Sequence, residues 1–238
     1  MNQEQKLKLY EQPRLDKFDT FTFGCNVCGE CCRNRDGENS IFLNALDIFK
    51  ISKHLKLTIT DFLSEYARCY CGENSKLPLV IIKAKPYRGA CPFLKGKCTI
   101  HTVKPAICAL FPLGRVMDDK SKKLTYVLNE TNCGDKKTTQ TVEEWLTAYN
   151  LLDEEPFALL WQQRLIEYAK ILDRIFEKLP NGLNGLFEDF LFLGSILYLN
   201  YDVESDFMPQ FEEKSNAVME LLTKIENDLK TIKKGTKE

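Results

Sequence analysis

Four cysteines, Cys25, Cys28, Cys31 and Cys32, fall within eight positions of the segment FTFGCNVCGECCRNRDG, residues 21–37. Thiolates are soft ligands, and two intervening residues let a short loop turn back so that several converge on one metal or cluster. The C-x2-C-x2-C spacing of Cys25, Cys28 and Cys31 is the one that opens bacterial ferredoxin runs, where successive cysteines hold an iron–sulfur cluster. A C-x2-C pair serves structural zinc equally well, with Zn–S about 2.3 Å. Gly29 suits such a loop, because glycine takes positive φ without steric penalty. Further donors are Cys91, Cys98 and Cys108, and Cys133 brings the set to eight. Eight thiolates are enough for two tetrahedral sites or two four-iron clusters, and spacing does not partition them. Adjacent cysteines generally direct their thiolates differently. Cys31 and Cys32 are therefore expected to serve two sites, or one to ligate while the other packs. Two zincs held by eight thiolates carry net negative charge, which Arg33, Arg35, Lys95 and Lys97 are placed in sequence to offset. A closed set of eight argues for structure or electron transfer; seven with one metal position exposed argues for catalysis.

The other candidate groups are weaker. Cys69 and Cys71 form a C-x-C pair with no further partner motif and read as partly buried free thiols. His101 sits three residues after Cys98, between two candidate ligand cysteines, where it could ligate but reads first as a polar neighbour of the ligands. His54 reads as a surface or packing histidine. The chain has no HExxH, no P-loop and no serine-nucleophile elbow. Acidic pairs such as Glu143–Glu144 and Glu154–Glu155 stand at helix starts, where the dipole favours them. Lys+Arg 33 against Asp+Glu 34 is balanced, so no global charge draws the chain to nucleic acid or to an anionic membrane. The longest apolar run, FLFLGSILYL at 190–199, is too short to span about 30 Å of hydrocarbon and reads as core. The N-terminus, MNQEQKLKLYEQPRLDKFD, lacks the apolar stretch of a secretory signal. The expected compartment is the reducing cytoplasm, where clustered cysteines are more often a metal site than a disulfide framework.

All ten cysteines lie between residues 20 and 140, so that region must position them. The spacing predicts an amphipathic helix over FLNALDIFKISKHLKLT, with Asn44 as N-cap and Leu43 and Ile48 placed for a hydrophobic staple. A second short helix is predicted over 61–68. LVIIKA (79–84) and KLTYVLN (123–129) read as strands from their β-branched residues. Residues 86–115 are turn-rich, with Pro92, Pro105 and Pro112 precluding a long helix. From Thr141 the texture becomes helical. Thr141 and Glu144 form a capping-box pair before VEEWLTAYNLL, and a long helix follows with Pro156 in its first turn. NGLNG (181–185) is a break, two more helices follow, and KTIKKGTKE reads as a frayed tail. Trp145, Tyr149, Phe157, Trp161 and Tyr168, near helical spacing, read as core.

CNVCGECC followed by CPFLKGKCTIHTVKPAICALFP resembles the YkgJ-like cysteine-cluster family of bacterial proteins. Its pattern is a CxxCxxCC segment, then CPFL, another cysteine, a short I-Y/H-x-x-R-P stretch, and a cysteine near F-P or Y-P. The matching positions are Cys25, Cys28, Cys31 and Cys32; Cys91-Pro92-Phe93-Leu94; Cys98; Ile100-His101; Pro105; Cys108; and Phe111-Pro112. Lys104 stands where arginine is typical and Ala109 where arginine is common, so charge is kept at Lys104 but the bidentate fork is lost. The resemblance covers roughly residues 20–135 and implies zinc or iron binding. A related pattern in bacterial flagellin lysine methylases, which look like iron–sulfur proteins, extends the implication to protein or peptide modification. Nothing else in the chain supports methyl transfer: it has no strand–GxGxxG–helix, and CxxCxxCC is not the CxxxCxxC triad of radical enzymes.

The fold expected is α+β: an irregular, cysteine-rich metal- or cluster-binding module with a small sheet over 20–138, packed with an α-helical half over 139–238. The function expected is thiolate binding of an iron–sulfur cluster of the 4Fe–4S type, with one or two zinc ions as the alternative. A cluster would belong to a redox or protein-modifying enzyme with a peptide substrate or redox partner. Zinc would belong to a non-catalytic interaction module whose metal-binding energy is its folding energy. Neither nucleic acid nor membrane is an expected partner.

Overall fold

Alternation in Thr20-Phe21-Thr22-Phe23 puts both phenylalanines on one face of a strand, and strand β1 (Thr20–Gly24) buries them and exposes the threonines. The computed structural model describes residues 12–35, 37–87, 89–118, 121, 123–178 and 186–235. The predicted break at 181–185 lies outside these residues. The fold is α+β, with small irregular sheets and a helix-rich C-terminal half. The chain divides into two compact units, Met1–Leu43 with Ile81–Leu159, and Asn44–Val80 with Leu160–Glu238.

In the first unit β1 pairs antiparallel with β9 (Asp135–Thr141), from Thr20 opposite Thr141 to Gly24 opposite Asp135, with a bulge between Thr22 and Gly24. Strands β7 (Leu113–Met117) and β8 (Leu124–Leu128) form an antiparallel pair, and Leu15 bridges to Tyr126. A tight hairpin joins β5 (Leu94–Lys95) to β6 (Lys97–Cys98), and β2 (Phe42–Leu43) follows Ile41, whose carbonyl accepts from Ile82 N–H at 2.9 Å. Helix α3 is the short Ala106–Leu110. Helix α4 (Val142–Ala148) leaves β9 directly, with Thr141 and Glu144 forming the expected capping box. It ends sooner than predicted because Asn150 turns to φ 56. The apolar core gathers Phe21 and Phe23, Ala109 and Leu110, Leu113, Tyr126, Val142, Trp145, Leu146 and Leu151. Trp145 meets Phe21 and Phe23 edge-on, with ring centroids 5.9 and 5.5 Å apart.

In the second unit α1 (Ala45–Leu55) starts at Asn44, which forms a capping box with Asp47. Helix α2 spans Ile59–Tyr66, two residues earlier than predicted, because Thr58 caps it and Ala67–Cys71 is drawn into strand β3. Strand β3 pairs with β4 (Pro78–Ile82). Three long helices follow: α5 (Glu155–Phe176), α6 (Leu186–Tyr198) and α7 (Phe207–Gly235). The tail expected to fray continues α7 as far as Gly235. Phe207 stacks on Tyr201 and on Phe211 and meets Phe49 at a tilt, and the buried Tyr168 hydroxyl donates to the Ser215 carbonyl at 2.7 Å. Arg174 forks onto Glu226 at 3.0 and 3.2 Å. No helix among the described residues is long and apolar enough to cross a membrane.

Candidate metal centre

The β1–β9 register decides where the first cysteine run begins. Gly24 opposite Asp135 places Cys25, just past the end of β1, near Cys133, just before the start of β9. Val27 (φ 55) and Gly29 (φ 77) then bend the chain into a 3-10 turn, Glu30–Cys32, closed by Cys32 N–H donating to Gly29 O at 3.0 Å. Gly29 suits this turn because its φ is left-handed; a Cβ there would lie 2.8 Å from Leu94 Cδ1, the movable end of that side chain.

The second cysteine group is tied to that turn through the backbone. Cys91 N–H donates to Cys32 O at 2.8 Å, and Leu94 N–H to Cys91 O at 3.1 Å. The hairpin pairs Leu94 with Cys98 about Gly96. Cys108 rides on α3, which the Trp145 indole N–H anchors by bonding Ala109 O and Leu110 O at 3.1 and 3.2 Å. Thr131 Oγ1 lies 3.2 Å from Cys133 Sγ and accepts from its N–H at 3.1 Å.

These elements enclose a cavity of about 50 Å³ whose wall includes Cys25, Cys28, Cys31, Cys32, Cys91, Cys98, Cys108 and Cys133 together with His101 and Lys104. Cys25 and Cys28 are exposed, Cys91 is buried, and the other five are half-buried. Cys69 and Cys71 lie on β3 in the second unit and do not line this cavity. His54 is exposed in the last turn of α1. All ten thiols are free. Among the described residues, no three His, Cys, Asp or Glu side chains are gathered tightly enough to hold a metal ion.

The thiols are electrostatically unequal. Cys32 donates to both Cys31 and Cys98. That hydrogen bond holds Cys31 down at about 6, helped by Arg35 and Lys104 against the effect of burial. The same donor holds Cys98 at about 7. Cys32 itself is pushed far up, because its proton serves two neighbours. Burial lifts Cys91 to about 11 and also raises Cys133.

Of the cations expected to offset thiolate charge, Arg33 pairs with Glu30 at 3.1 Å, and Lys95 and Lys97 point outward on the hairpin. Arg35 does serve, donating to Cys31 O with its charge reaching Cys31 and Cys91. The cation inside the wall is Lys104, buried, with Cys25, Cys108, Cys31 and Cys98 acting on it. Its Nζ stands 3.9 Å from the Tyr149 ring centroid. Tyr149 also hydrogen-bonds Cys25, and burial lifts its hydroxyl to about 12. Its helical spacing with Trp145 points to core alone; no local signal marks it as a neighbour of Cys25, more than a hundred residues upstream. His101 is held low by desolvation and then by Lys104.

The donor set fits a soft or borderline metal: eight sulfurs on one wall, two poised as thiolates near neutral pH, and a buried ammonium beside them. Residues 24–134 match the CxxCxxCC family model, described as "Putative zinc- or iron-chelating domain". An uncharacterised protein of Methanocaldococcus jannaschii, MJ0661, is 29% identical over 133 residues, in a match that covers 53% of this chain and 65% of that protein. The chain thus spans less than two thirds of the length of that relative. No solved structure matches the chain.

Proposed function

Taking residues 24–134 as a CxxCxxCC domain, we propose that its eight cavity cysteines hold iron–sulfur chemistry and that the chain serves a redox or protein-modifying reaction. The observation that carries this reading is the selection of eight cysteines out of ten: Cys25, Cys28, Cys31, Cys32, Cys91, Cys98, Cys108 and Cys133 share one cavity, while Cys69 and Cys71 do not. Dense thiolates favour a cluster, which when bound supplies one-electron chemistry. Cys32, Cys98 and Cys91 neighbour one another on one side, with Cys31 hydrogen-bonded to Cys32. Cys28 and Cys133 are hydrogen-bonded to each other, while Cys25 and Cys108 act on Lys104. Lys104 offsets thiolate charge without occupying a ligand position. The exposure of Cys25 and Cys28 leaves that edge open to a redox partner or a peptide substrate.

Structural zinc is the competing reading, in which metal replaces a core that a loop-rich module cannot build. Against it stands the apolar core of the first unit, in which Phe21, Phe23, Tyr126, Trp145 and Leu146 are all buried. The deciding experiment is metal and acid-labile sulfide analysis of protein purified without oxygen, with its ultraviolet–visible spectrum. The expected result is iron and sulfide in equal amounts, roughly four of each per cluster, with broad absorption near about 400 nm. Zinc without sulfide would replace the redox reading by the structural one. Neither metal nor sulfide would remove both.

A further inference from the structure

His101 lines the cavity, and its Nε2 is buried with no hydrogen-bond partner. A buried polar nitrogen left unpaired is destabilising. Among the described residues whose side chains carry such an orphaned atom, His101 is the one on the cavity wall. Nε2 is paired with none of the thiols in the cavity wall. The ring is located from the other side: it begins the 3-10 turn His101–Val103 behind the buried Ile100, and it meets the Tyr149 ring edge-on at 6.0 Å. A located imidazole with a free nitrogen beside eight sulfurs has the character of a ligand.

We propose that His101 supplies Nε2 as a nitrogen ligand to the metal in this cavity, giving the centre a mixed sulfur and nitrogen donor set. The inference rests on the metal-binding reading above. A neutral imidazole in place of a thiolate removes one negative charge from the centre, and in clusters that exchange raises the reduction potential.

The test is X-ray absorption at the edge of whichever metal, iron or zinc, co-purifies with the untagged full chain. Untagged protein matters because the chain has two histidines, so imidazole scattering has two possible sources. The expected result is a nitrogen shell with imidazole outer-shell scattering, present in the native protein and in His54→Ala and lost in His101→Ala. For zinc the nitrogen shell falls at about 2.0–2.1 Å against about 2.3 Å for sulfur. A sulfur-only shell in fully loaded native protein overturns the inference and leaves thiolate binding standing. Imidazole scattering that survives in His101→Ala overturns it too. Native protein without metal overturns both readings. A sulfur-only native spectrum overturns the inference by itself, so the test stays decisive against it even where a variant does not fold.

Discussion

Cys32 gives its proton to two neighbours, and that one arrangement sorts the thiols by reactivity. At neutral pH Cys31, held at about 6, is largely thiolate and Cys98, held at about 7, about half so, whereas Cys91, lifted to about 11 by burial, is not. The thiolate is the nucleophile, so alkylation of each cysteine rises as the pH passes its own value. In metal-free protein at pH 7, iodoacetamide should modify Cys31 and Cys98 well ahead of Cys91, as peptide mass spectrometry would read. Equal rates for the three would mean that the hydrogen bonds from Cys32 do not form in solution. The sign is fixed by chemistry: a donor to sulfur stabilises the anion and burial destabilises it, and at Cys91 burial outweighs the backbone donor at Phe93. Lys104 works in the same sense from within the wall. It also explains why lysine is tolerated where the related pattern has arginine: stacking on Tyr149 needs the charge but not the planar fork.

At the scale of elements, the site depends on two short strands and two glycines more than on any long helix. β1 and β9 close the ends of the two cysteine segments together, and Gly134, at φ 82, sits in the cavity wall at the entry to β9. A Cβ on Gly134 would come within 2.7 Å of Phe23 Cζ and closer still to the edge of that buried ring. Gly29 is crowded only by the end of the flexible Leu94 side chain. Both substitutions to alanine incur the left-handed penalty of about 1–2 kcal/mol. Gly134→Ala adds an overpacking cost of about 1–3 kcal/mol against the aromatic core. Urea unfolding should therefore place Gly134→Ala about 2–5 kcal/mol below the native protein, with Gly29→Ala clearly less affected. The reverse order would show that the turn at Gly29, not the β9 entry, is the stiffer support.

Across the whole molecule, the two units divide the cysteines eight to two. The first unit carries the cavity, and the second carries Cys69 and Cys71 on β3. If the eight form two sites, replacing one ligand removes one of them. Cys91→Ser should then reduce bound metal to about half, while Cys69→Ser combined with Cys71→Ser should leave it unchanged. Elemental analysis per mole of folded chain reads both. Loss of metal in the double variant would bring the C-x-C pair into the ligand set and overturn the single-cavity reading.

The sequence alone determined what local chemistry can determine. It supplied the candidate donors and the tight turn at Gly29. It also supplied the capping boxes at Asn44 and Thr141 and a proline tolerated in the first turn of α5, because caps and turns act across three or four residues. It did not reveal β9: Asp-Lys-Lys-Thr-Thr-Gln-Thr has no apolar alternation, and this segment becomes a strand only because β1 offers it a hydrogen-bonding edge. Nor did it reveal that Lys104 rather than Lys95 or Lys97 faces the thiols, that Tyr149 reaches Cys25, or that His101 Nε2 is left unpaired. Tertiary structure decided these. Each depends on which distant segments share a wall, and residues a hundred positions apart leave no periodicity in the chain to announce that they will meet.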